Sequence, residues 1–403
     1  MRWTHPAQPG RVVRLAYCTN LHAGETASAI REGLESVTLP LRDRLSGGEP
    51  FGVGLWLPAS VVGPALSEDG AAQLHELFDF VLAEGLDPFT FNAFPFGGFH
   101  EEGLKERVYA PTWSEPARAE FTLAVARAAA DLHARRPVAE RSAHVSISTH
   151  PGSYGPWVKN PAELHAFSKA MARVVLELAR MQQEGGPTIV LSLEAEPRAS
   201  ASDSAALAEF LVVARTRAEM CLVEQGGWDR ALAGAAAARH LSACLDCCHS
   251  AVEFEDPGRA WRLASLHGGP GKLQFSSALT LTAPAGSASA RAALLALDEP
   301  RYLHQVTGLG PAGRKTVADL PELAAALESD PDPWLACDEW RCHFHVPVDL
   351  TSLSGLGTTR AHADAVLAAA LADPVTWSEL HLEIETYTWD VLPGEARGAG
   401  ALV

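Results

Sequence analysis

Asp246 and His249 stand three residues apart at the end of an apolar run, Leu241-Ser-Ala-Cys-Leu-Asp-Cys-Cys-His249. Where a strand's backbone bends, a carboxylate and an imidazole at that spacing can grip one cation. Two other runs carry acids in the same manner, Ile189-Val-Leu-Ser-Leu-Glu194-Ala-Glu196 and Leu380-His-Leu-Glu383-Ile-Glu385. Successive strand residues point to opposite faces, so the acids of each run share a face. Carboxylates gathered in one place repel each other and lose hydration, and a divalent ion is the economical remedy. Mixed oxygen and nitrogen donors suit manganese, zinc, iron or cobalt better than calcium. Each residue also has a plainer reading: a strand-end Glu pairs with an Arg, and His343 or His345 alone is a hydrogen-bonded core histidine.

Such side chains converge only if distant strands are brought side by side. Strand candidates cover Val12–Asn20, Phe51–Leu57, Pro88–Phe94, Ala143–Thr149, the run from Ile189, Leu241–His249, Lys272–Ala278, Trp340–Val348 and 380–388. Amphipathic segments separate them. That over 161–184 places Leu164, Phe167, Met171, Val174, Val175 and Leu178 on one helical face behind an Asn160-Pro161 start. Regular alternation predicts parallel strands covered by helices, and eight main units plus one extra strand predict a closed (β/α)8 TIM barrel. No glycine-rich nucleotide fingerprint follows the first strand, which argues against an open doubly wound sheet. The expectation is a single domain over 1–403, with a helical insertion at 282–338 (helices near 288–305 and 321–329) and a flexible tail at 391–403. In such barrels the chemistry sits at the carboxyl ends of the strands. Here those ends carry Asn20, His22, Asn92, His150, Glu194, Glu196, Asp246, His249, Gln274, His343, His345, Glu383 and Glu385.

A net charge of -17 disfavours a surface that neutralises nucleic-acid phosphates. Seven cysteines scattered along 403 residues do not suggest a disulfide scaffold, and reduced thiols are expected. No stretch approaches ~20 uninterrupted apolar residues and no leader pattern opens the chain, so the expectation is a cytoplasmic protein without membrane insertion.

The strings Ser148-Thr-His150-Pro-Gly-Ser, Leu193-Glu194, Leu245-Asp246-Cys-Cys-His249 and Leu382-Glu-Ile-Glu385-Thr resemble the xylose isomerase-like (AP endonuclease 2) TIM barrel superfamily. Tyr17-Cys-Thr-Asn20, Gly54-Leu-Trp-Leu-Pro58, Phe91-Asn-Ala-Phe-Pro-Phe-Gly-Gly-Phe-His100 and His343-Phe-His-Val-Pro347 are more specifically similar to the EboE-type metabolite traffic proteins of the bacterial ebo operon. That resemblance implies an accessory role in moving a prenylated or other secondary metabolite, linked to a UbiA-like prenyltransferase. By the superfamily's motifs, Glu194, Asp246 and Glu385 are metal ligands and His249 is the partner of Asp246. His150 falls on the His-Pro-Gly turn of the endonuclease branch. Gln274 stands where those enzymes carry a histidine ligand, and His343 or His345 could supply the missing imidazole.

The resulting expectation is a divalent-metal-dependent isomerase or epimerase acting on a small sugar-like or carbonyl metabolite. Its metal ligands would be Glu194, Asp246, Gln274, His345 and Glu385. Glu194 and Glu385 would move the proton, with His22, Asn92, His150, His249 and His343 against the substrate. The alternative is a carrier that keeps the barrel mouth and holds an apolar metabolite with Phe94, Phe96, Phe99 and Trp113. An abasic-site nuclease is disfavoured by the acidic charge and by Gln274.

Overall fold

The structure, a computed structural model, describes residues 1–22, 24–63, 68–266, 268–373, 376–388 and 391–392. A hairpin of β1 (Arg2–His5) and β2 (Gln8–Cys18) opens the chain. Then follow β3 (Phe51–Trp56), β4 (Leu86–Asn92), β5 (Val145–Thr149), β6 (Ile189–Glu194), β7 (Leu241–Asp246) and β8 (Lys272–Phe275). An insertion contributes β9 (Ser277–Thr282), β10 (Val306–Gly310), β11 (Gly313–Val317), β12 (Glu339–Val346), β13 (Ser352–Leu353) and β14 (Leu356–Thr358). The last strand is β15 (Glu379–Ile384). Pairing runs β2-β15-β8-β7-β6-β5-β4-β3 and returns from β3 to β2, parallel throughout. The expected (β/α)8 barrel is therefore closed.

Outward-facing Leu55, Phe91, Ile147, Leu191, Leu193, Leu245, Leu273 and Leu382 meet the apolar faces of the surrounding helices in one core. Those helices start where the sequence places capping groups: Asn160 accepts from the amide of Ala162 and Asp203 from that of Ala206. The barrel interior is different. In place of the usual layers of branched aliphatics, it holds hydrogen-bonded polar side chains. Ser146 donates to Thr90 at 2.8 Å, and Lys272 Nζ reaches Ser148 Oγ at 3.0 Å.

Three expectations are corrected. The run Leu241–His249 is strand only to Asp246; its carboxylate accepts the amide of His249 at 2.8 Å, and this N-cap starts a helix over Cys247–Val252. The run Lys272–Ala278 is two strands, because the chain leaves the barrel at Ser276. The insertion expected at 282–338 does carry helices, but the added segment is longer, from β9 to β14, and is built on a sheet. It has helices at Ala288–Leu295 and Leu320–Ser329, but its body is a six-stranded antiparallel sheet in the order β11-β10-β12-β9-β14-β13. The extra strand expected at Trp340–Val348 is β12, near its centre. Leu279, Leu281, Val306, Trp340 and Phe344 give this sheet a core of its own. Apart from residues 391 and 392, the tail expected at 391–403 lies outside the described residues. Among the described residues, no helix is long and apolar enough to cross a membrane.

At the amino-terminal end of the barrel, Asp87 is held between Arg14 at 2.9 Å and Arg136 at 2.6 Å, and Glu379 receives Arg14 Nε at 3.1 Å. All four side chains are buried. Breaking a buried pair from one side leaves charge without compensation and costs about 3–5 kcal/mol. Asp87→Ala is expected to lower stability by about that amount, read as a fall in the urea unfolding midpoint.

Candidate metal centre at the barrel mouth

The carboxyl ends of β6, β7 and β15 bring Glu194, Asp246 and Glu385 together, with ligand oxygens within 4.8 Å of one another. All three residues are buried, and among the described residues no lysine or arginine forms an ion pair with them. Asp246 is the most firmly held. Besides capping the helix that follows, it receives Ser276 Oγ at 2.9 Å on both oxygens. Glu385 Oε1 accepts from Asn20 Nδ2 at 3.2 Å, and Glu194 Oε1 lies 3.3 Å from His249 Nδ1. Burial, then repulsion by Glu385 and Asp246, pushes the Glu194 carboxyl well up. Burial, then repulsion by Asp246 and Glu383, does the same to Glu385.

Beneath this trio, Lys272 Nζ pairs with Glu383 at 2.6 Å, both wholly buried. Gly54 leaves the space for that carboxylate, since a Cβ there would fall 1.6 Å from Glu383 Oε1. Lys272 thus offsets one acid and draws down the carboxyls of Glu194 and Glu385, but it is a single cation. The remaining negative charge needs another.

A second set of donors faces the first. His343 and His345, from β12, come over the mouth and meet His249. The three Nε2 atoms are 3.0 Å (His249 to His343), 3.1 Å (His343 to His345) and 3.4 Å (His345 to His249) apart. His249 Nδ1 donates to the Ala195 carbonyl at 3.0 Å, so its Nε2 carries no proton while the ring is neutral. His343 Nδ1 donates to Gln305 Oε1, whose amide is oriented by donating to the Pro197 carbonyl at 3.0 Å. Two bare nitrogens therefore face each other. Two nitrogen ligands on one tetrahedral zinc at about 2.05 Å stand roughly 3.3 Å apart, so the spacing fits a shared cation. Burial lowers His249 to about 3 and His345 to about 4, which keeps the rings in the neutral form that ligates. Asp246 lies within ligand distance of His249 and His345 as well as of Glu194 and Glu385, so it stands between the two donor sets.

Not every expected residue reaches this place. Asn92 lines the mouth while its Oδ1 accepts the Phe94 amide at 2.8 Å. Gln274 is level with Asp246 and Glu383, but its Oε1 is taken by the Cys244 thiol at 2.9 Å, which leaves it a poor ligand. His22 is excluded: the turn Thr19–Leu21 carries it to the helix Ala27–Gly33, where it bonds Thr38 Oγ1 at 3.0 Å and stacks on Tyr17. His150 is excluded too, because its turn folds the ring behind Phe94 and Tyr109, with centroids 5.2 and 5.6 Å away. Of the aromatics suggested for a carrier, Phe94 and Phe99 line the mouth. Trp113 is fully buried with its indole bonded to the His150 carbonyl, and Phe96 packs on Phe121.

Several participants were absent from the expected ligand and substrate sets. Tyr387 places its hydroxyl 3.1 Å from His343 Nε2, and its position two residues beyond Glu385 was the available signal. Glu196 lines the same space, pushed up to about 7 by burial against the pull of Tyr109 and Gln305. Cys248 comes within ligand distance of His343 and His345. Strand parity does not describe it, because the chain is helical there. All seven cysteines are buried and free.

The fold and these side chains define a (β/α)8 barrel whose mouth gathers buried carboxylates and imidazoles able to hold a metal ion. No protein-family model matches the chain, and no curated protein matches it.

Glu194 and Glu385 have folded-state pKa values raised above their unfolded ones, so their contribution to stability is present at low pH and lost as pH rises through that window. A metal must expel those protons, whereas the imidazoles are already neutral. Apparent affinity for manganese or zinc should therefore rise with pH above the ordinary carboxylate range, with protons released on binding. Titration calorimetry in two buffers of different ionisation heat checks this.

Proposed function

We propose that this chain is a divalent-metal-dependent isomerase or epimerase of the xylose isomerase-like superfamily, acting on a small hydroxycarbonyl metabolite. The observation that carries the reading is the pair Glu194 and Glu385, from strands separated by β7 and β8, facing one space together with Asp246 and, among the described residues, with no lysine or arginine ion-paired to them. Glu194, Asp246 and Glu385 would hold the ion, with His249, His343 and His345 completing or extending the donor set. When bound, the ion supplies polarisation of the substrate carbonyl. Proton movement falls to the chain's own groups. Glu194 Oε1 takes the proton from the carbon beside the carbonyl and hands it to the adjacent carbon, with Glu385, its carboxyl pushed up by burial and then by Asp246 and Glu383, as the alternative carrier. Asn20 Nδ2 orients Glu385 Oε1 for this, and Asn92 and Tyr387 border the substrate.

The sequence similarity to EboE-type proteins fits a place beside a UbiA-like prenyltransferase in the handling of a prenylated or secondary metabolite. A carrier without turnover is the competing reading, favoured by the apolar residues Phe94, Phe99, Leu104 and Leu303 above the acids.

Asp246→Asn separates the two. An isomerase variant is expected to lose metal content, measured by plasma emission spectroscopy, and turnover by a factor of about 10² or more. A carrier would keep its ligand affinity. Wild-type protein that takes up no divalent ion would refute the catalytic reading.

A further inference from the structure

The cleft over the carboxylates has about 530 Å³ of empty volume, counting its open mouth, and its two sides differ in chemistry. The floor is polar: Asn20, Asn92, Glu194, Glu196, His249 and Glu385. The roof comes from two segments outside the barrel strands. The loop after β4 supplies Phe94, Phe99, Leu104 and Val108, and the chain leading into β10 supplies Tyr302 and Leu303. Backbone bonds fix the two segments to each other, Gly103 donating to the Pro300 carbonyl at 2.8 Å and Lys105 to the Arg301 carbonyl at 2.7 Å. The apolar wall is thus part of the built cleft.

A ligand with hydroxyls along its whole length would bury some of them against Leu104, Val108 and Leu303, which offer no hydrogen bond. Ligand oxygen atoms are matched at the floor and at the rim, but not along the wall between them. At the mouth stand Lys105 and Arg301. Lys105 is neutralised by Asp319 at 2.7 Å, with Asp298 at 3.7 Å. Among the described residues no carboxylate pairs with the Arg301 guanidinium, whose planar fork matches a carboxylate or phosphate.

Resting on the reading above, we infer that the substrate is amphiphilic: a hydroxycarbonyl head on the acidic floor, an apolar or ring-bearing body under the Phe94–Leu303 roof, and an anionic group met by Arg301. Free sugars and short polyols lack the middle part.

Three probes test this by calorimetry on the full chain, with and without bound manganese: dihydroxyacetone (head only), 2-hydroxyacetophenone (head and ring) and 4-(hydroxyacetyl)benzoate (head, ring and anion). The ring is expected to tighten binding at least about tenfold over dihydroxyacetone. The carboxylate should add a further factor of about three to ten, lost in Arg301→Met and unchanged in Leu303→Asn. Leu303→Asn should remove most of the ring's advantage. Metal content and thermal midpoint of both variants identify any loss due to misfolding, and the wild-type ranking stands without them. Dihydroxyacetone binding as tightly as the ring compounds to the manganese form overturns the inference while the metal reading survives. An intact ring preference without metal uptake refutes the metal reading and supports this one. A carboxylate advantage that persists in Arg301→Met overturns the anionic part.

Discussion

Everything at the barrel mouth follows from an imbalance of charge in a space with little water. Glu194, Asp246, Glu383 and Glu385 are buried together, and among the described residues Lys272 is the one lysine or arginine paired with any of them. Taking a carboxylate out of water costs several kcal/mol unless charge and hydrogen bonds return. Glu383 has its lysine. Glu385 has Asn20, Asp246 has Ser276 and the backbone amide of His249, and Glu194 has the His249 ring at 3.3 Å; these neighbours hold orientation without cancelling the charge. The imidazoles opposite are no help as cations, since burial keeps them neutral; their value lies in their lone pairs. Carboxylates on one side and bare nitrogens on the other make an electron-rich enclosure whose natural complement is a divalent ion.

The barrel and its carboxylates were legible in the sequence for a simple reason. Strand periodicity sets which side chains share a face, and alternation of strand with helix sets which ends gather. That places Glu194, Glu196, Asp246, Glu383 and Glu385 at the mouth, while the choice of Glu194, Asp246 and Glu385 among them rests on the family resemblance. The same logic misled where local chemistry broke the period. Asp246 caps a helix, so residues beyond it leave the strand pattern. His22 and His150 sit just past strand ends, where a single turn decides between the mouth and the packing behind it. Lys272 opens β8. A lysine opening a strand flanked by buried positions was a signal for an internal ion pair.

The insertion was the least legible part because antiparallel strands, several of them only two to five residues long and joined by turns, carry little periodic signal. Yet it supplies two of the three converging imidazoles and part of the roof. His343 and His345 share a face of β12 by strand parity, but nothing in the sequence fixes the direction in which that face looks. Pairing with β9, which follows directly from barrel strand β8, brings β12 to the mouth, and both histidines lie where its register is broken, between Cys342 and Val346.

Ser276 is the only residue between those two strands, and both oxygens of Asp246 receive its hydroxyl. It also accepts the Cys248 amide at 2.8 Å. The point where the insertion departs is therefore also the clamp on the central aspartate. The added sheet cannot tilt as an independent flap: a rotation about Ser276 would drag the carboxylate and the imidazoles out of register in one motion. The two halves of the donor set are geared together by a single hydroxyl.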